Sequence, residues 1–309
     1  MKSRPSDQPL HLKLETKLCH FSAEPDLMRH AEDPNMIAST LEEANQKYEE
    51  LVLALQYTIA QRERLKKLLQ IAGRAVDIYP SANASEIIDM ILKTPAEHAQ
   101  DVFAYIFSGC KREGFFVEFG ACDGLAVSNT LSLERRFGWT GILAEPSRYW
   151  RESLPRNRRA AIDFRCVAGK TGQQVGFFES DRPGNSSSQE DHTYLGSVRA
   201  SYDVDTISLM DLLDYHSAPG HIDYISIDTE GSEKEILEAF DFNKYKFGFI
   251  TVEEHEGVTS EKSVQPLLEQ AGYRVIVARE AGRPVPMQIS GVDKFFVPAD
   301  HPALTWGIG

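Results

Sequence analysis

The sequence predicts an α/β protein in which a long helical segment precedes a doubly wound, mostly parallel β-sheet. After residue 114, short apolar runs alternate with amphipathic segments, the order of strands joined by crossover helices. Before that point, apolar residues recur at alternating spacings of four and three, a period typical of a helix. We therefore divide the 309 residues into a polar arm (1–36), a helix (37–77), a helical connector (78–113) and one large domain (114–309).

Composition and charge narrow the class of protein. Hydrophobic residues make up 42% of the chain and charged residues 26%, which argues against a wholly disordered protein. The net charge of −13 argues against a nucleic-acid or anionic membrane surface as a general partner, because phosphates favour clustered lysine and arginine. The sequence therefore favours a globular enzyme or binding protein without nucleic-acid contacts.

The cysteine pattern and the N-terminal sequence predict a cytoplasmic location. The N-terminal region has no apolar core of a signal peptide, and the longest early uncharged stretch, 51–61, is too short to span a bilayer. No pair of cysteines has the C-x-x-C spacing of a structural zinc site. Scattered cysteines of this kind are typical of free thiols in a reducing compartment. They are Cys19, Cys110, Cys122 and Cys166.

The helical segment has the pattern of a coiled coil. Its apolar positions continue over almost six heptads, whereas a helix of a single domain rarely exceeds about 25 residues without caps. This length favours a coiled coil that joins identical subunits; the alternative is an amphipathic helix that lies on its own domain. The heptad seam consists of Ile37, Leu41, Ala44, Tyr48, Leu51, Leu55, Thr58, Arg62, Leu65, Leu69, Ala72 and Val76.

The connector is predicted to contain two short helices. Asn83 or Ser85 is a suitable N-cap for a helix that continues to Leu92. Residues 94–97, Thr-Pro-Ala-Glu, have the pattern of a capping box with proline in the first turn. They predict that a second helix begins there and continues to Ile106.

The large domain alternates strands and helices as a doubly wound sheet requires. Residues 181–197, rich in serine, glycine and aspartate, are predicted to form a loop. Strands are predicted at 115–120, 141–145, 162–167, 175–179, 222–228, 247–254, 273–278 and 292–297, and helices at 127–137, 147–154, 208–215, 232–240 and 260–271.

The first of these strands leads into a glycine-containing turn, Val-Glu-Phe-Gly-Ala-Cys-Asp-Gly at 117–124. A strand, such a turn and a helix form the nucleotide-binding corner of open α/β sheets. Gly120 and Gly124 are four residues apart, and neither a third glycine nor Lys-Ser/Thr follows, so the dinucleotide fingerprint and the P-loop both fit poorly. Asp123 in the turn suits a cationic ligand such as S-adenosylmethionine, which has a sulfonium and an ammonium group and no phosphate.

Two further polar residues agree with this cofactor. Glu145 ends the second strand, where an acidic residue accepts hydrogen bonds from ribose hydroxyls in dinucleotide-binding folds. Asn129 at the start of the first helix offers an amide to the methionine carboxylate. Each residue alone has an ordinary alternative as a turn or cap residue, but their occurrence at successive strand ends favours a cofactor site.

Three segments of the domain resemble a known family. FGACDG at 119–124, SNTLSLERRFGWTGILAEPS at 128–147 and IDYISIDTEGSEKEIL at 222–237 look like the FkbM family of S-adenosylmethionine-dependent methyltransferases. The resemblance extends over about residues 114–297 and excludes the heptads. It implies the Rossmann-like fold of class I methyltransferases, with seven strands of which the last is antiparallel. It also implies methylation of a hydroxyl, often on a sugar or polyketide-like product.

The candidate cofactor residues lie on these segments. Position by position, Gly120, Asp123, Asn129 and Glu145 fall on cofactor segments of the family. Glu118, directly before the first segment, and Gly124 and Pro146 within the segments are further candidates.

Acidic residues and a histidine follow two later strands. The strand at 222–228 leads into Asp228 and Glu230, and the strand at 247–254 leads into Glu253 and His255. These strand ends are neighbours in a class I sheet, at the edge where ligands bind. Methylation of an alcohol requires loss of its proton, so we expect His255 to be the general base. Asp228 and Glu230 would then bind acceptor hydroxyls or the ammonium of the donor.

A metal-assisted route is the alternative to a general base. Mg²⁺ or Mn²⁺ would acidify the acceptor hydroxyl directly. Its candidate ligands are Asp228, Glu253, Glu254 and His255.

The sequence thus predicts a methyltransferase that uses S-adenosylmethionine to methylate a hydroxyl of a saccharide or glycan-linked intermediate, assembled as a homo-oligomer through 37–77. One alternative is a dinucleotide-dependent oxidoreductase, which the glycine spacing disfavours. The other is an inert methyltransferase-like scaffold whose coiled coil performs the function. The joint presence of Asp123, Glu145 and His255 argues against the scaffold.

Overall fold

A computed structural model describes residues 34–181, 184, 186–188, 197–229, 231–254, 263–280, 283–286 and 293–306. Its strands are β1 (Phe115–Phe119), β2 (Thr140–Ala144), β3 (Ala161–Asp163), β4 (Cys166–Ala168), β5 (Gln174–Ser180), β6 (Val198–Ser208), β7 (His221–Ile227), β8 (Lys246–Glu253), β9 (Tyr273–Val275), β10 (Val277–Glu280), β11 (Arg283–Pro286) and β12 (Asp293–Pro298).

Seven of these strands form the central sheet, in the order β3-β2-β1-β7-β8-β12-β9. The strands run parallel except β12, which is antiparallel to both of its neighbours. The predicted fold, a doubly wound sheet whose last strand is antiparallel, is confirmed.

The sequence predicted one sheet, whereas the described residues also form a three-stranded sheet and a two-stranded sheet. The strand predicted at 162–167 is instead two strands, because β3 joins the central sheet and β4 joins a three-stranded sheet with β6 and β5. Asp163 Oδ1 accepts from the backbone N–H of Arg165 at 3.0 Å where the chain changes sheets. The unpredicted β6 forms a hairpin with β5. Similarly, the strand predicted at 273–278 divides into β9 and β10, and β10 pairs with β11.

The helices of the described residues connect these strands. They are α1 (Pro34–Ile78), α2 (Ala84–Lys93), α3 (Gln100–Phe107), α4 (Leu131–Phe137), α5 (Leu154–Asn157), α6 (Leu209–Tyr215), α7 (Glu233–Glu238) and α8 (Gln265–Gln270). In this part of the chain, no helix combines the length and the apolar character needed to cross a bilayer.

Helix starts depend on side-chain hydrogen bonds. Asn83 caps α2 as predicted, since its side chain accepts from the Glu86 N–H at 3.2 Å. The predicted start of α3 near residue 95 is wrong. Thr94 Oγ1 donates to the Asp101 carboxylate and accepts from the Ala96 N–H, which holds 94–99 in a turn that precedes the helix. Ala99 ends this turn with a left-handed φ of 58°.

The connector helices pack into the same core as the central sheet. On that face, Met90 of α2 and Phe103 of α3 are fully buried, and the Phe103 ring lies 4.8 Å from that of Phe295 on β12. The opposite face is covered by a second cluster that includes Val117 and Leu212. Both faces of the sheet are therefore covered by apolar side chains.

Contacts divide the chain into two compact units, 1–62 and 63–309. Within the first unit, the seam residues Tyr48, Leu51 and Leu55 are 67%, 46% and 60% exposed. Within the second, α1 buries Leu68, Ile71, Ala75 and the seam residue Ala72 in the core, whereas the seam residues Leu65, Leu69 and Val76 stay exposed.

Candidate active site

A cavity of about 350 Å³ opens at the edge of the sheet where β1, β2, β7 and β8 end. Ligands of open α/β sheets bind at this edge. The predicted site residues that line the cavity are Glu118, Gly120, Asn129, Glu145, Pro146, Asp228 and Glu253.

Gly120 brings the end of β1 close to the end of β7. Its φ is +71°, in the left-handed region that favours glycine. A Cβ at this position would lie 2.6 Å from the carbonyl oxygen of Asp228. Only glycine therefore permits the two strand ends to approach this closely beside the cavity.

Glu118 organises the turn that follows β1. Its buried carboxylate accepts from the Asn129 backbone N–H at 2.7 Å and from the hydroxyls of Ser128 and Thr130. Arg158 Nη1 lies 3.5 Å from the same carboxylate, and both side chains are almost fully buried. Because this network holds 128–130 in a turn, α4 begins at Leu131 and not at residue 127 as predicted.

Glu145 is buried at the end of β2 with its carboxylate at the cavity. One oxygen accepts from the Cys122 N–H and the other from the Ser147 N–H, each at 2.8 Å. Burial raises the pKa of Glu145 to about 7, although these two hydrogen bonds lower it. Each oxygen has a further lone pair that can accept from a ligand hydroxyl.

Of the two polar atoms in the side-chain amide of Asn129, one has a hydrogen-bond partner and the other has none among the described residues. Its Nδ2 donates to Ser226 Oγ at 2.9 Å. Its Oδ1 is buried and has no hydrogen-bond partner among the described residues. A buried acceptor without a donor is costly, so the cavity offers a place for a ligand donor at this oxygen.

Asp123 and Gly124 shape the turn and do not line the cavity. Asp123 Oδ1 accepts from the N–H groups of Leu125 and Ala126, at 2.8 and 2.9 Å. Gly124 has φ +74°, and a Cβ there would lie 2.5 Å from Arg158 Cγ. The structure therefore places these two candidate cofactor residues behind the lining.

The carboxyl groups of Asp228 and Glu253 both line the cavity and act on each other electrostatically. Burial, followed by the neighbouring Glu253, raises the pKa of Asp228 well above its ordinary value. This part of the cavity thus holds an acid pair able to bind hydroxyl groups.

The predicted metal ligands do not form a set within the described residues. Glu254 is turned to Lys294, whose Nζ lies 2.9 Å from its carboxylate, and does not line the cavity. In this part of the chain, no group of three or more histidine, cysteine, aspartate or glutamate residues is arranged to hold a metal ion. Glu230 and His255 lie outside the described residues.

One group of residues that lines the cavity was not predicted from the sequence. Asp293 at the start of β12 lines it, together with Glu97, His98 and Gln100 at the start of α3. The only signal near 94–100 was the capping-box pattern, which indicates a helix start and no ligand. Residues of the three-stranded sheet and its loop, including Cys166, Val167, Phe177, Ser186 and Ser188, line another part.

The described lining is acidic. It contains one histidine, His98, and neither lysine nor arginine. Cationic groups and neutral hydroxyls are favoured next to carboxylates, and phosphates are disfavoured. The lining carboxylates are those of Glu97, Glu118, Glu145, Asp228, Glu253 and Asp293.

Solved methyltransferase structures resemble parts of this chain. A precorrin-6y C5,15-methyltransferase from Geobacter metallireducens is 14% identical, with a TM-score of 0.35 over 63% of this chain and 84% of that one. An S-adenosylmethionine-dependent methyltransferase from Aquifex aeolicus is 13% identical, with a TM-score of 0.30 over 70% and 97%. The plantazolicin methyltransferase, solved with S-adenosylhomocysteine, is 9% identical, with a TM-score of 0.33 over 78% and 99%. No curated protein sequence matches the chain.

A family model of the methyltransferase FkbM domain matches residues 118–275. This range is just over half of the chain. It begins at Glu118 on β1 and includes the turn at Gly120, the strand end at Glu145 and the acid pair of Asp228 and Glu253. The chain therefore belongs to the FkbM family of S-adenosylmethionine-dependent methyltransferases.

Proposed function

We propose that this methyltransferase transfers a methyl group from S-adenosylmethionine to a hydroxyl of a neutral saccharide or glycan-linked acceptor. The acidic lining of the cavity is the observation that supports this choice. Sugar hydroxyls donate hydrogen bonds to carboxylates such as those of Asp228 and Glu253. A phosphorylated acceptor would place its charge among these carboxylates, without a lysine or arginine in the described lining to offset it.

The β1 and β2 ends of the cavity fit S-adenosylmethionine. The unsatisfied Asn129 Oδ1 would accept from its ammonium group, because the amide nitrogen is already bonded to Ser226. This differs from the expectation that the amide of Asn129 binds the methionine carboxylate. Glu145 would accept from the ribose hydroxyls, and Gly120 keeps the backbone close to the ligand. When bound, the cofactor supplies an electrophilic methyl group.

The acceptor class can be tested with methyl glycosides and short neutral oligosaccharides against the same sugars carrying phosphate. We expect release of S-adenosylhomocysteine with neutral sugars, and at least about tenfold lower kcat/KM with phosphorylated ones, a difference of about 1.4 kcal/mol. Preference for phosphorylated sugars would contradict the proposed acceptor. Cofactor binding without turnover on any hydroxyl would favour the inert scaffold.

The two routes to a reactive hydroxyl differ in their response to a chelator. Proton removal by a side chain predicts that activity survives dialysis against EDTA. A metal-assisted route, with Asp228, Glu253 and His255 as ligands, predicts that EDTA abolishes activity and that Mg²⁺ or Mn²⁺ restores it. The assay is methyl transfer before and after dialysis.

Replacing Glu145 with alanine is expected to weaken S-adenosylhomocysteine binding by about 1.5–3 kcal/mol, or roughly one to two decades. The physical reason is loss of a charged acceptor for the ribose hydroxyls. Ribose hydroxyls favour the ionised form, so binding should lower the pKa of Glu145 from about 7 and release a proton. Wild-type affinity should therefore rise with pH up to about 7 and level off above it.

Isothermal titration calorimetry between pH 5 and 8 measures both effects. Glu145→Gln is the control, because it keeps the size of the side chain and cannot ionise. The affinity of this variant for S-adenosylhomocysteine should therefore lack the pH dependence that ionisation of Glu145 causes. Equal pH dependence in both proteins, with circular dichroism unchanged, would remove Glu145 from the ribose site.

We also propose that the heptad seam joins two copies of this chain. The seam residues from Tyr48 to Arg62 are exposed, and the a and d spacing of the seam is self-complementary between helices. Leu55 on the seam is 60% exposed and Leu53, off the seam, is 65% exposed, so the two form a matched pair.

Leu55→Lys is expected to convert the assembly to monomers, because it places a charge in the packed seam. Leu53→Lys should leave the assembly intact. Light scattering of the full chain gives the mass of each variant. A monomeric wild type, or equal masses for the two variants, would contradict the coiled coil.

The free thiols of the described cysteines agree with a reducing compartment. Cys110, Cys122 and Cys166 form no disulfide. We propose a cytoplasmic location, which microscopy of the tagged protein in its own cells would test.

A further inference from the structure

His98 is held at the cavity by its neighbour Gln100. The left-handed residue Ala99 separates the two and turns the chain before α3 begins. Gln100 Oε1 accepts from the backbone N–H of His98 at 2.9 Å, and Gln100 Nε2 donates to Asp293 Oδ2. Gln100 is only 5% exposed. A single buried amide therefore fixes both His98 and Asp293, which are 195 residues apart in the chain.

Asp293 provides a carboxyl group beside the histidine. It is 8% exposed and lies opposite Glu253 in the register of β12 and β8. Burial raises the pKa of Asp293, and the charge of His98 is the largest influence that lowers it. The imidazole is thus close enough to act electrostatically on Asp293.

The His98 ring is available to a ligand. Among the hydrogen bonds of the described residues, none involves its ring nitrogens, although His98 lines the cavity. Carboxylates line the same cavity from six places: Glu97 in the turn before α3, Glu118 on β1, Glu145 after β2, Asp228 after β7, Glu253 on β8 and Asp293 on β12. A proton transferred to the imidazole would therefore remain in a cavity lined by carboxylates.

We propose that His98 is the catalytic base that accepts the proton of the acceptor hydroxyl, with Asp293 and Gln100 as positioning residues. This inference rests on the proposed hydroxyl acceptor. It assigns the role to the described residue His98 in place of His255.

The step balances without a further reactant. The hydroxyl oxygen forms a bond to the methyl carbon, and the carbon–sulfur bond breaks with its electron pair left on sulfur. The hydroxyl proton moves to a ring nitrogen of His98, and from there to solvent after the products leave. The products are the methyl ether and S-adenosylhomocysteine.

The first test needs no acceptor. In ¹³C-histidine-labelled full-length protein, we expect the Cε1–H resonance of His98, assigned through His98→Gln, to differ between the complexes with S-adenosylhomocysteine and S-adenosylmethionine. These ligands differ only in the methyl group and its positive charge. His221 is the internal control, because its side chain is 59% exposed and it begins β7 at the opposite edge of the sheet.

The outcomes separate this inference from the proposed function. An identical His98 resonance in the two complexes overturns the role of His98. If neither S-adenosylhomocysteine nor S-adenosylmethionine binds, the proposed function itself is wrong.

The second test is kinetic, on the best neutral sugar. His98→Ala should lower kcat by about 10²–10⁴-fold with little change in cofactor affinity, and the rise of log kcat with pH on the acidic side should disappear. Asp293→Asn and Gln100→Ala should lower kcat less and keep that rise, and His221→Ala should match wild type. If His255→Ala loses the rise and His98→Ala keeps it, His255 is the base and the inference is wrong.

Discussion

Replacement of Glu118 with alanine is expected to lower the free energy of unfolding by about 3–5 kcal/mol. Its carboxylate is 2% exposed and lies 3.5 Å from Arg158 Nη1, whose side chain is fully buried. Without Glu118, Arg158 loses a charged partner, and the turn at 128–130 loses its acceptor. A buried charge left with too few partners is among the most costly single changes in a protein.

Two control variants test whether the loss of stability comes from burial of the Glu118–Arg158 ion pair. Glu152→Ala removes the partner of Arg156 from an exposed ion pair, and we expect a change within about 0.5 kcal/mol. Glu118→Ala combined with Arg158→Leu should recover only part of the loss, because it removes the guanidinium that lost Glu118 but takes from Glu134 its partner at 3.3 Å. Equilibrium unfolding in urea measures each variant. A loss below about 1 kcal/mol for Glu118→Ala would show that the network is dispensable.

Gly120→Ala is expected to cost about 2–4 kcal/mol of stability and to weaken S-adenosylhomocysteine binding by at least about tenfold. The new Cβ would lie 2.6 Å from the Asp228 carbonyl oxygen, so the ends of β1 and β7 must separate. Both strand ends line the cavity, and their separation changes its shape. The positive φ adds the ordinary strain of a left-handed alanine.

Gly172→Ala is the matched control for Gly120→Ala. Gly172 has a similar φ of +79°, but a Cβ there meets no atom within 4 Å. Its substitution should cost only the backbone strain, about 1 kcal/mol, and leave binding unchanged. Urea unfolding and calorimetry measure both variants. Equal effects at the two positions would show that backbone strain, and not the close approach to Asp228, decides the outcome.

Local sequence signals located one side of the cavity. Gly120 and Glu145 were identified because a glycine turn after β1 and an acid after β2 are separated by fixed spacings in one βαβ unit. Asp228 and Glu253 were identified in the same way, from acidic residues at the ends of apolar runs. Neighbouring parallel strands bring such ends together whatever the side chains nearby.

The seam of α1 shows where a periodic pattern is ambiguous. Leu65, Leu69 and Val76 follow the heptad, yet the core receives Leu68, Ile71 and Ala75, which alternate with them on the same helix. Two apolar stripes on one helix have nearly the same period. The sequence therefore cannot tell which stripe faces the subunit's own core.

The sequence by itself determined the doubly wound sheet, the family and the glycine turn after β1, because each depends on residues close together in the chain. Tertiary structure alone brought the segment of His98 and Gln100 to Asp293. The hydrogen bond between Gln100 and Asp293 joins residues that are 193 positions apart in the chain. It also decided that Asp123 caps a turn and that the side-chain oxygen of Asn129 has no hydrogen-bond donor among the described residues. Such roles depend on which atoms meet after the strands pair, and side-chain identity along the chain does not contain that information.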